Sequence, residues 1–452
     1  MDLTPGFKNS AVGVIPEDWG DQALAQLEPF ITSGSRGWAK HYSDRGDLFV
    51  RITNLSRERI YLDLSDTKYV DVPPDDAEAT RTALQQGDLL ISITADIGMI
   101  GYVDEVIPLP AYINQHIACV RIGEGAADPK FVAYFLASDA AQERFRSITD
   151  VGAKTGINLT TVGNIRTAVP PLREQQAIAE ALSDIDASIA AQSRLIAKKR
   201  DLQQGVTQSL LIGEIRLGSF ARKNARYKTT EIGPIPEGWD VVPMGDLFGF
   251  KNGLNKAKRY FGYGTPIVNF MDVFGCPRLK SENIAGRVDV TRAEREAYAV
   301  CKGDVFFTRT SETVEQIGMA AAMLDSVSDA VYSGFVLRGR PKDDSLDDQF
   351  KAWCFSATYF RKQIMATASY TTRALTNGGA LSAALLARPP LPEQKAIAAT
   401  LDDFDSEISL LEARLEKTRA LKQAMMQALL TGRVRLPIAR NETSNVKEAA
   451  YG

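Results

Sequence analysis

The sequence has few cysteines and histidines, and it lacks the motifs of common catalytic sites. Cys119, Cys276, Cys301 and Cys354 are far apart, so no CxxC pair can hold zinc or carry out redox chemistry. Neither of the two histidines has a cysteine or histidine at metal-ligand spacing, and phosphate-loop and GxGxxG sequences are missing. These absences predict free thiols in a reducing compartment and a chain without its own catalytic or metal site.

Long apolar runs and an excess of basic charge are also missing. No run of eighteen apolar residues could span a membrane, and the N-terminus has no signal-peptide pattern, so we expect a cytoplasmic protein. Lys and Arg number 53 against 56 Asp and Glu. Nucleic-acid-binding proteins usually carry an excess of basic residues, so any contact with DNA must come from local patches.

The sequence contains an internal repeat that spans most of the chain. "PPLREQQAIAEAL" at Pro170 recurs as "PPLPEQKAIAATL" at Pro389, with nine of thirteen positions identical. "IPEDWG" recurs as "IPEGWD", "GDLLIS" as "GDVFFT", and "LLIGEIRL" as "LLTGRVRL", in the same order and at nearly the same offset. A chain of 452 residues is long enough for several domains. We therefore predict an internal duplication in which each copy forms similar structure.

Each copy begins with a part of mixed composition. "LFVRITNL" and "GDLLISIT" are rich in β-branched and aliphatic residues and are bounded by Gly and Asp, which is typical of strands. Residues 129–147 have the pattern of one amphipathic helix that begins at a proline. The sequence therefore predicts an α+β fold with two similar globular domains.

Each copy ends in a segment that predicts one helix of about 38 residues, roughly 57 Å long. Apolar residues recur at heptad spacing in both segments, and Gly213 and Gly432 follow as C-cap residues. The predicted seam residues are Ile178, Leu182, Ile185, Ile189 and Ile196 in the first helix, and Ile397, Leu401, Phe404, Ile408, Leu411 and Leu415 in the second. Pairing between two molecules is one possibility. The domain between the helices favours an antiparallel coiled coil within one chain.

The doubled order of these motifs resembles type I restriction–modification specificity subunits. The motifs are "VGVIPEDW" and "IGPIPEGW", the GD strands followed by IG, and the two EQ helix starts. The resemblance covers nearly all of residues 1–436. It implies two target recognition domains, each reading half of a bipartite DNA site, and a helix pair that sets the gap between the halves. It also implies a non-catalytic chain that binds double-stranded DNA and two methyltransferase subunits, with further translocase–nuclease subunits in a restricting assembly. S-adenosylmethionine would bind the methyltransferase, and this chain would hold no cofactor.

The expected domain boundaries follow the repeat. They are residues 1–170 for the first recognition domain, 171–217 for the first helix, 218–228 for a linker, 229–388 for the second recognition domain, 389–436 for the second helix and 437–452 for a polar tail.

The candidate DNA contacts lie in polar segments at matching places in the two copies. Basic, glycine-rich loops at 32–46 and 251–264 contain interleaved aromatic residues, and Arg, Lys, Asn and Gln are the side chains that contact bases and phosphates. The candidates in the first copy are Arg36, Lys40, His41, Tyr42, Arg45, Asn114, Gln115, His116, Lys154 and Asn158. Those in the second copy are Asn252, Asn255, Lys256, Lys258, Arg259, Tyr260, Arg309, Thr310, Tyr370, Arg373 and Asn377. In the alignment of the two copies, Arg309 and Thr310 stand opposite Ile93 and Thr94, and "YSG" at 332–334 corresponds to "INQH" at 113–116.

Structural roles compete with these assignments. The two loops could be solvated turns, His116 could be a core histidine, and Asn158 and Asn377 could cap the helices they enter. For the whole chain, the alternative is a coiled-coil adaptor whose domains bind protein partners. A self-sufficient nuclease is a third hypothesis, but the fragment Asp66 to Asp75 has its acidic and basic residues in the wrong order for known nuclease motifs.

Overall fold

The structure is a computed structural model that describes residues 5–34, 36–73, 75–150, 156–221, 226–370 and 374–437. The chain divides into two compact units. Unit 1 comprises Met1–Ser193 with Ala413–Gly452, and unit 2 comprises Arg194–Glu412. Each unit contains one globular part together with half of each long helix. Among the described residues, no helix is long and apolar enough to cross a membrane.

The elements of unit 1 come in the order of the chain. The strands β1 to β12 span Phe7–Ser10, Gly13–Pro16, Gly20–Ala23, Phe30–Ser33, Tyr42–Ser43, Asp47–Val50, Tyr69–Val70, Leu89–Ser92, Ile100–Tyr102, Ala111–Ile113, Ile117–Arg121 and Arg166–Val169. The helices α1 to α4 span Ala77–Thr82, Pro129–Ala137, Asp139–Asp150 and Leu159–Asn164. The first long helix, α5, spans Leu172–Leu211 and continues into unit 2.

The elements of unit 2 follow. The strands β13 to β27 span Tyr227–Thr230, Gly233–Pro236, Asp240–Pro243, Phe248–Asn252, Phe261–Val268, Arg278–Leu279, Arg287–Val288, Val305–Thr308, Thr310–Ser311, Ala320–Met323, Val331–Tyr332, Val336–Pro341, Ser369–Tyr370, Ala374–Leu375 and Leu385–Arg388. The helices α6 to α11 span Met244–Leu247, Phe270–Val273, Arg292–Ala297, Asp348–Cys354, Thr358–Ala366 and Gly378–Ala383. The second long helix, α12, spans Leu391–Leu429 and continues into unit 1.

The two units share one sheet topology, which confirms the α+β duplication. In unit 1 the central sheet has the order β4-β11-β8-β9, and the matching sheet of unit 2 has the order β16-β24-β20-β22, with β18 added at its edge. A parallel pair, β10 with β6, recurs as β23 with β17. The hairpin β1–β2 recurs as β13–β14, and β12–β3 recurs as β27–β15. The repeated sequence therefore encodes a repeated fold.

The prediction of one helix over residues 129–147 was wrong. The structure has α2 and α3 there, separated at Ser138, which has an extended backbone with ψ of 152°. The Ser138 hydroxyl donates to the carbonyl of Phe135 at 2.6 Å and accepts from the amide of Ala141 at 3.4 Å. Serine competes with helical backbone bonding in this way, and here it ends one helix and begins the next.

The two long helices match the prediction in length and in their ends. α5 has 40 residues and α12 has 39. Gly213 and Gly432 follow them with positive φ of 73° and 68°, which is the left-handed conformation that glycine adopts at helix C-termini. Of the predicted seam, Ile189, Phe404 and Leu411 are half-buried and the other residues are buried.

Within each unit, the two helix segments run antiparallel. In unit 1, Gln192 of α5 donates to Thr418 of α12 at 3.2 Å, and Asp186 of α5 pairs with Lys422 of α12 at 2.7 Å. The residue with the higher number on α5 therefore contacts the residue with the lower number on α12. In unit 2, Lys199 pairs with Glu407 at 2.7 Å and Gln203 donates to Asp405 at 2.5 Å, so a higher number on α5 again meets a lower number on α12. The predicted antiparallel pairing within one chain is therefore present.

The glutamate of each EQ motif is buried and binds a tryptophan and an arginine from two distant segments of the chain, and we call this group of three side chains a glutamate lock. Glu174 is 1% exposed, accepts from the Trp19 indole at 3.2 Å and pairs with the guanidinium of Arg435. These three residues come from the repeated EQ, IPE-W and helix-end motifs. The lock therefore explains why three motifs recur together.

Unit 2 contains the equivalent lock. Glu393 is 1% exposed, accepts from the Trp239 indole at 2.9 Å and pairs with Arg216 through two bonds of 2.7 and 2.6 Å. These bonds raise the pKa of Arg216, because they stabilise its charged form. In both units the arginine comes from the other copy of the repeat.

The EQ glutamines belong to the same framework. Gln175 accepts from the Asp128 amide and donates to the Pro170 carbonyl, both at 2.8 Å, and Gln394 makes the equivalent bonds to Asp347 and Pro389 at 2.8 Å. Both amides are buried. Because they are buried, these side chains hold the start of each long helix and are not exposed to a partner.

The repeated GD motif supplies a buried ion pair. Asp88 accepts two bonds of 2.8 Å from Arg121, and Asp304 accepts bonds of 2.8 and 2.7 Å from Arg340. Each pair joins two neighbouring strands of the central sheet, β8 to β11 and β20 to β24. The repeated motifs thus hold the fold together, and positions that differ between the copies must account for any difference in function.

Candidate nucleic-acid interface

Four separated segments of unit 1 meet around the turn at residues 113–116. A Cβ atom added to Gly34, after β4, would lie 2.0 Å from the carbonyl oxygen of Ile113, so only glycine allows this approach. The amide of Ile93 donates to the carbonyl of His116 at 2.9 Å, and the amide of Ile157 donates to the carbonyl of Ile93 at 2.9 Å. The fold thereby brings three of the predicted contact segments together.

Unit 2 makes the same convergence with different side chains. A Cβ atom at Gly253 would lie 2.0 Å from the carbonyl oxygen of Ser333. The amide of Arg309 donates to the carbonyl of Phe335 at 3.0 Å, and the amide of Thr376 donates to the carbonyl of Arg309 at 3.0 Å. Arg309 therefore occupies the place of Ile93, as the sequence alignment predicted. We call the two surfaces around these turns the reading faces of units 1 and 2.

The reading faces differ most at the turn itself. In unit 1 it presents Gln115 and His116, which are half-buried, above a buried Asn114. In unit 2 the equivalent residues are Ser333, Gly334 and Phe335. Phe335 is 60% exposed, and the side chain of Arg309 donates to the Gly334 carbonyl at 3.4 Å. One face therefore offers amide and imidazole groups, and the other a phenyl ring beside a guanidinium group.

The loop at 32–46 divides into a buried and an exposed part. Trp38 is buried, and its ring lies 5.3 Å from that of Phe49 and 5.1 Å from that of Tyr112, so this aromatic residue belongs to the core. His41 is half-buried. The exposed side chains are those of Lys40, Tyr42 and Arg45, and the side chain of Arg36 lies outside the described part of the structure.

The loop at 251–264 contains basic side chains around one tyrosine. The ammonium of Lys256 lies 4.7 Å and the guanidinium of Arg259 5.0 Å from the Tyr260 ring centre, which are cation–π distances. Lys256 also pairs with Glu294 at 2.8 Å and lowers the pKa of that carboxyl. A DNA phosphate would have to displace Glu294 from Lys256. Asn252, Asn255, Lys258 and Arg259 are exposed.

The two predicted asparagines cap short helices. The Asn158 side chain accepts from the Thr161 amide at 2.8 Å at the start of α4, and Asn377 accepts from the Ala380 amide at 2.9 Å at the start of α11. Both helices thus gain an N-cap from these residues. Lys154, Arg373 and the side chain of Tyr370 lie outside the described residues. Thr310 is half-buried in the short strand β21.

Sequence reasoning missed three side chains near these positions. Phe335 and Tyr263 are exposed aromatic residues of unit 2, and Thr94 contacts His116 in unit 1 through a bond of 2.5 Å from its hydroxyl to Nδ1. The alignment contained the signal for Phe335, because this residue takes the place of His116 in the second copy. Throughout the described ranges, no group of three or more His, Cys, Asp or Glu residues is placed to hold a metal ion.

Comparison with known proteins gives consistent matches. The sequence model of the protein family described as type I restriction modification DNA specificity domain matches residues 72–198 and 236–418 of this chain. The putative MjaX specificity subunit of a type I restriction enzyme from Methanocaldococcus jannaschii is 26% identical over 447 residues, which cover 95% of this chain and 97% of that protein. The EcoKI specificity subunit from Escherichia coli K12 is 20% identical over 66% of this chain and 63% of its own length.

Two solved structures share the fold. The type I restriction–modification system S subunit from M. genitalium has a TM-score of 0.54 at 11% identity, and the match covers 95% of this chain and 98% of that one. A chain from a structure concerned with complex assembly and conformational transition of the type I R-M system also has a TM-score of 0.54, at 16% identity, covering 93% and 99%.

Proposed function

This chain belongs to the type I restriction–modification DNA specificity family, and we propose that it recognises a bipartite DNA target and positions the catalytic subunits of such a complex. The observation that carries the proposal is the contrast between framework and reading faces. The buried ion pairs and locks recur in both units, whereas the side chains at the two turns differ. A duplicated scaffold with two different faces suits a target whose halves differ in sequence.

We propose separate roles for the globular domains and the long helices. Residues 1–170 and 229–388 are the target recognition domains, and each reads one half-site. The two long helices, within 171–217 and 389–436, set the gap between the halves. Residues 218–228 are a linker and 437–452 a tail.

The catalytic work belongs to partner subunits in this proposal. Two methyltransferase subunits bind the chain, hold S-adenosylmethionine and methylate adenine, and translocase–nuclease subunits join them in a restricting assembly. The chain itself positions DNA. Lys40, Arg45, Lys258 and Arg259 are exposed and would contact phosphates, which supply most of the affinity of such interfaces.

The coiled-coil adaptor is the less favoured alternative. It shares the helix pair but gives no reason for two chemically different faces on one repeated framework. It also predicts that methylation by a partner would not depend on DNA sequence.

Genome-wide mapping of methylated adenine tests the proposal. The chain is co-expressed with its cognate methyltransferase in a host without other adenine methylation, and the methyltransferase alone serves as the control. We expect a split motif with a fixed gap only when both are present. An active methyltransferase that gives no motif with this chain would overturn the proposed function and favour the adaptor.

A further inference from the structure

The turn at residues 113–116 contains three neighbouring polar residues whose hydrogen bonds separate their roles. Asn114 is buried, its amide donates to the Val50 carbonyl at 3.2 Å, and its side-chain oxygen accepts from the His116 amide at 3.1 Å. Ser333 does the same in unit 2, with its amide bonded to Val268 at 2.9 Å and its hydroxyl to the Phe335 amide at 3.4 Å. Asn114 therefore shapes the turn.

Both ring nitrogens of His116 are engaged inside the protein. Nε2 lies 3.0 Å from the amide nitrogen of Gln115, and Nδ1 lies 2.5 Å from the hydroxyl of Thr94. An amide nitrogen can only donate, so Nε2 accepts and carries no proton. The ring proton is then on Nδ1 and is donated to Thr94. Thr94 and His116 together fix the orientation of the Gln115 amide.

The rest of the Gln115 amide is open to a ligand. One N–H group is used by His116, and within the described part of the chain the side chain makes no other hydrogen bond. A free donor and a free acceptor therefore remain on the amide group of this half-buried residue. A donor and an acceptor in this arrangement match N7 and N6 of adenine, which accept and donate in the major groove.

The turn of unit 2 has no amide side chain at the place of Gln115. Gly334 has no side chain, and Phe335 takes the place of His116. The turn of unit 2 therefore has no counterpart of the Gln115 side chain, and the nearby amide of Asn255, whose oxygen would lie 2.1 Å from a Cβ atom on Gly334, comes from the loop at 251–264 instead.

We infer that Gln115 reads an adenine in the half-site bound by unit 1, and that Thr94 and His116 are positioning residues that set the direction of its amide. This inference rests on the proposed function. It assigns adenine recognition to one residue of one unit, and it excludes Asn114 and His116 as direct readers.

Adenine analogues test whether Gln115 contacts an adenine, in the complex of the wild-type chain with its cognate methyltransferase. Each adenine of the mapped motif, in both halves, is replaced in turn by 7-deazaadenine, which lacks the N7 acceptor, and binding is measured by competition. We expect one position, in one half, to weaken binding by about 5- to 10-fold. That sensitivity should disappear in the Gln115→Ala complex, because the bond to N7 is already absent. If the sensitivity of no adenine depends on Gln115, the inference is wrong.

Methylation mapping with Gln115→Glu gives a second test. The carboxylate has nearly the same shape but only accepts hydrogen bonds, so preference at that position should move from adenine toward cytosine, which presents a donor. The other half of the motif should stay unchanged. Retention of the original base preference in both halves would overturn the inference. Absence of any split motif with the wild-type chain would instead overturn the proposed function, and the inference with it.

The positioning role has its own readout. His116→Phe, which copies unit 2, should reduce discrimination at the same single position while leaving the unfolding midpoint of the chain nearly unchanged. His116→Gln can place an amide oxygen near the Nε2 position and should restore most of the preference. Equal loss of discrimination in both variants, or a loss spread over both halves, would show that His116 does not act through Gln115.

Discussion

At the scale of single residues, the repeated motifs are explained by a few buried charges. The chain has nearly equal numbers of acidic and basic residues, and some of both are used inside the fold. Asp88, Asp304, Glu174 and Glu393 are each at most 1% exposed and each is paired with an arginine. Loss of one partner from such a pair leaves an uncompensated buried charge, which is far costlier than loss of an exposed pair.

The two glutamate locks should differ in strength. Glu393→Ala is expected to lower the free energy of unfolding by about 3–5 kcal/mol, the usual effect of breaking a buried pair. Glu174→Ala should cost less, because Arg435 is 42% exposed against 15% for Arg216 and retains Asp18 at 2.8 Å. Urea unfolding followed by circular dichroism measures both. Glu180→Ala, an exposed position on α5, is the control and should change stability by under about 0.5 kcal/mol. Equal losses for the two lock variants would contradict this ranking.

The exposed basic residues of the second loop should act through phosphates. Lys258→Ala and Arg259→Ala are expected to weaken DNA binding by the isolated chain for all sequences alike. Each lost contact should also make the salt dependence of log K shallower by about 0.9. Lys417→Ala, an exposed lysine on α12, is the matched control and should leave the slope unchanged. A change in base preference without a change in slope would assign these residues to bases instead.

At the scale of elements, periodic signals were predictable and long-range partners were not. The heptad pattern extended over nearly 40 residues, so the long helices and their end glycines could be predicted. The break at Ser138 could not, because the apolar pattern continues across it and a local serine bond decides the outcome. The role of the EQ glutamates was also hidden, since Arg216 and Arg435 lie 177 and 261 residues away from them in the chain.

The candidate site shows the same division. Alignment of the two copies placed Arg309 opposite Ile93 and pointed to the turns at 113–116 and 332–334, which the fold brings onto the reading faces. The assignment of Gln115 to base contact and of His116 to positioning depended on the hydrogen bond between Thr94 and His116. No pattern in the sequence predicts that bond. Trp38, an aromatic residue of a predicted contact loop, packs into the core because its neighbours Phe49 and Tyr112 come from other strands.

The glycines that end the two long helices should be irreplaceable. A Cβ atom at Gly213 would lie 2.5 Å from Pro236, and one at Gly432 would lie 2.3 Å from Pro16. Either change to alanine also forces positive φ on a residue with a side chain, so each should cost at least about 1–2 kcal/mol. Gly205→Ala provides the opposite control, because it lies within α5 in open space and should stabilise by about 0.5–1 kcal/mol. Thermal unfolding compares the three, and tolerance of alanine at Gly213 would show that the helix end is not fixed.

At the scale of the whole molecule, both long helices are shared by both units, which divide between Ser193 and Arg194 and between Glu412 and Ala413. Seven residues inserted at both points preserve the heptad register and lengthen each helix by roughly 10 Å, or about three base pairs of DNA. If the helices set the gap in the target, the methylated motif should keep both half-sites and gain about three base pairs between them. Two-residue insertions are the control, since about 200° of rotation moves the apolar seam off its partner and should abolish methylation. A seven-residue variant that methylates the original motif with its original gap would show that something other than these helices measures the distance.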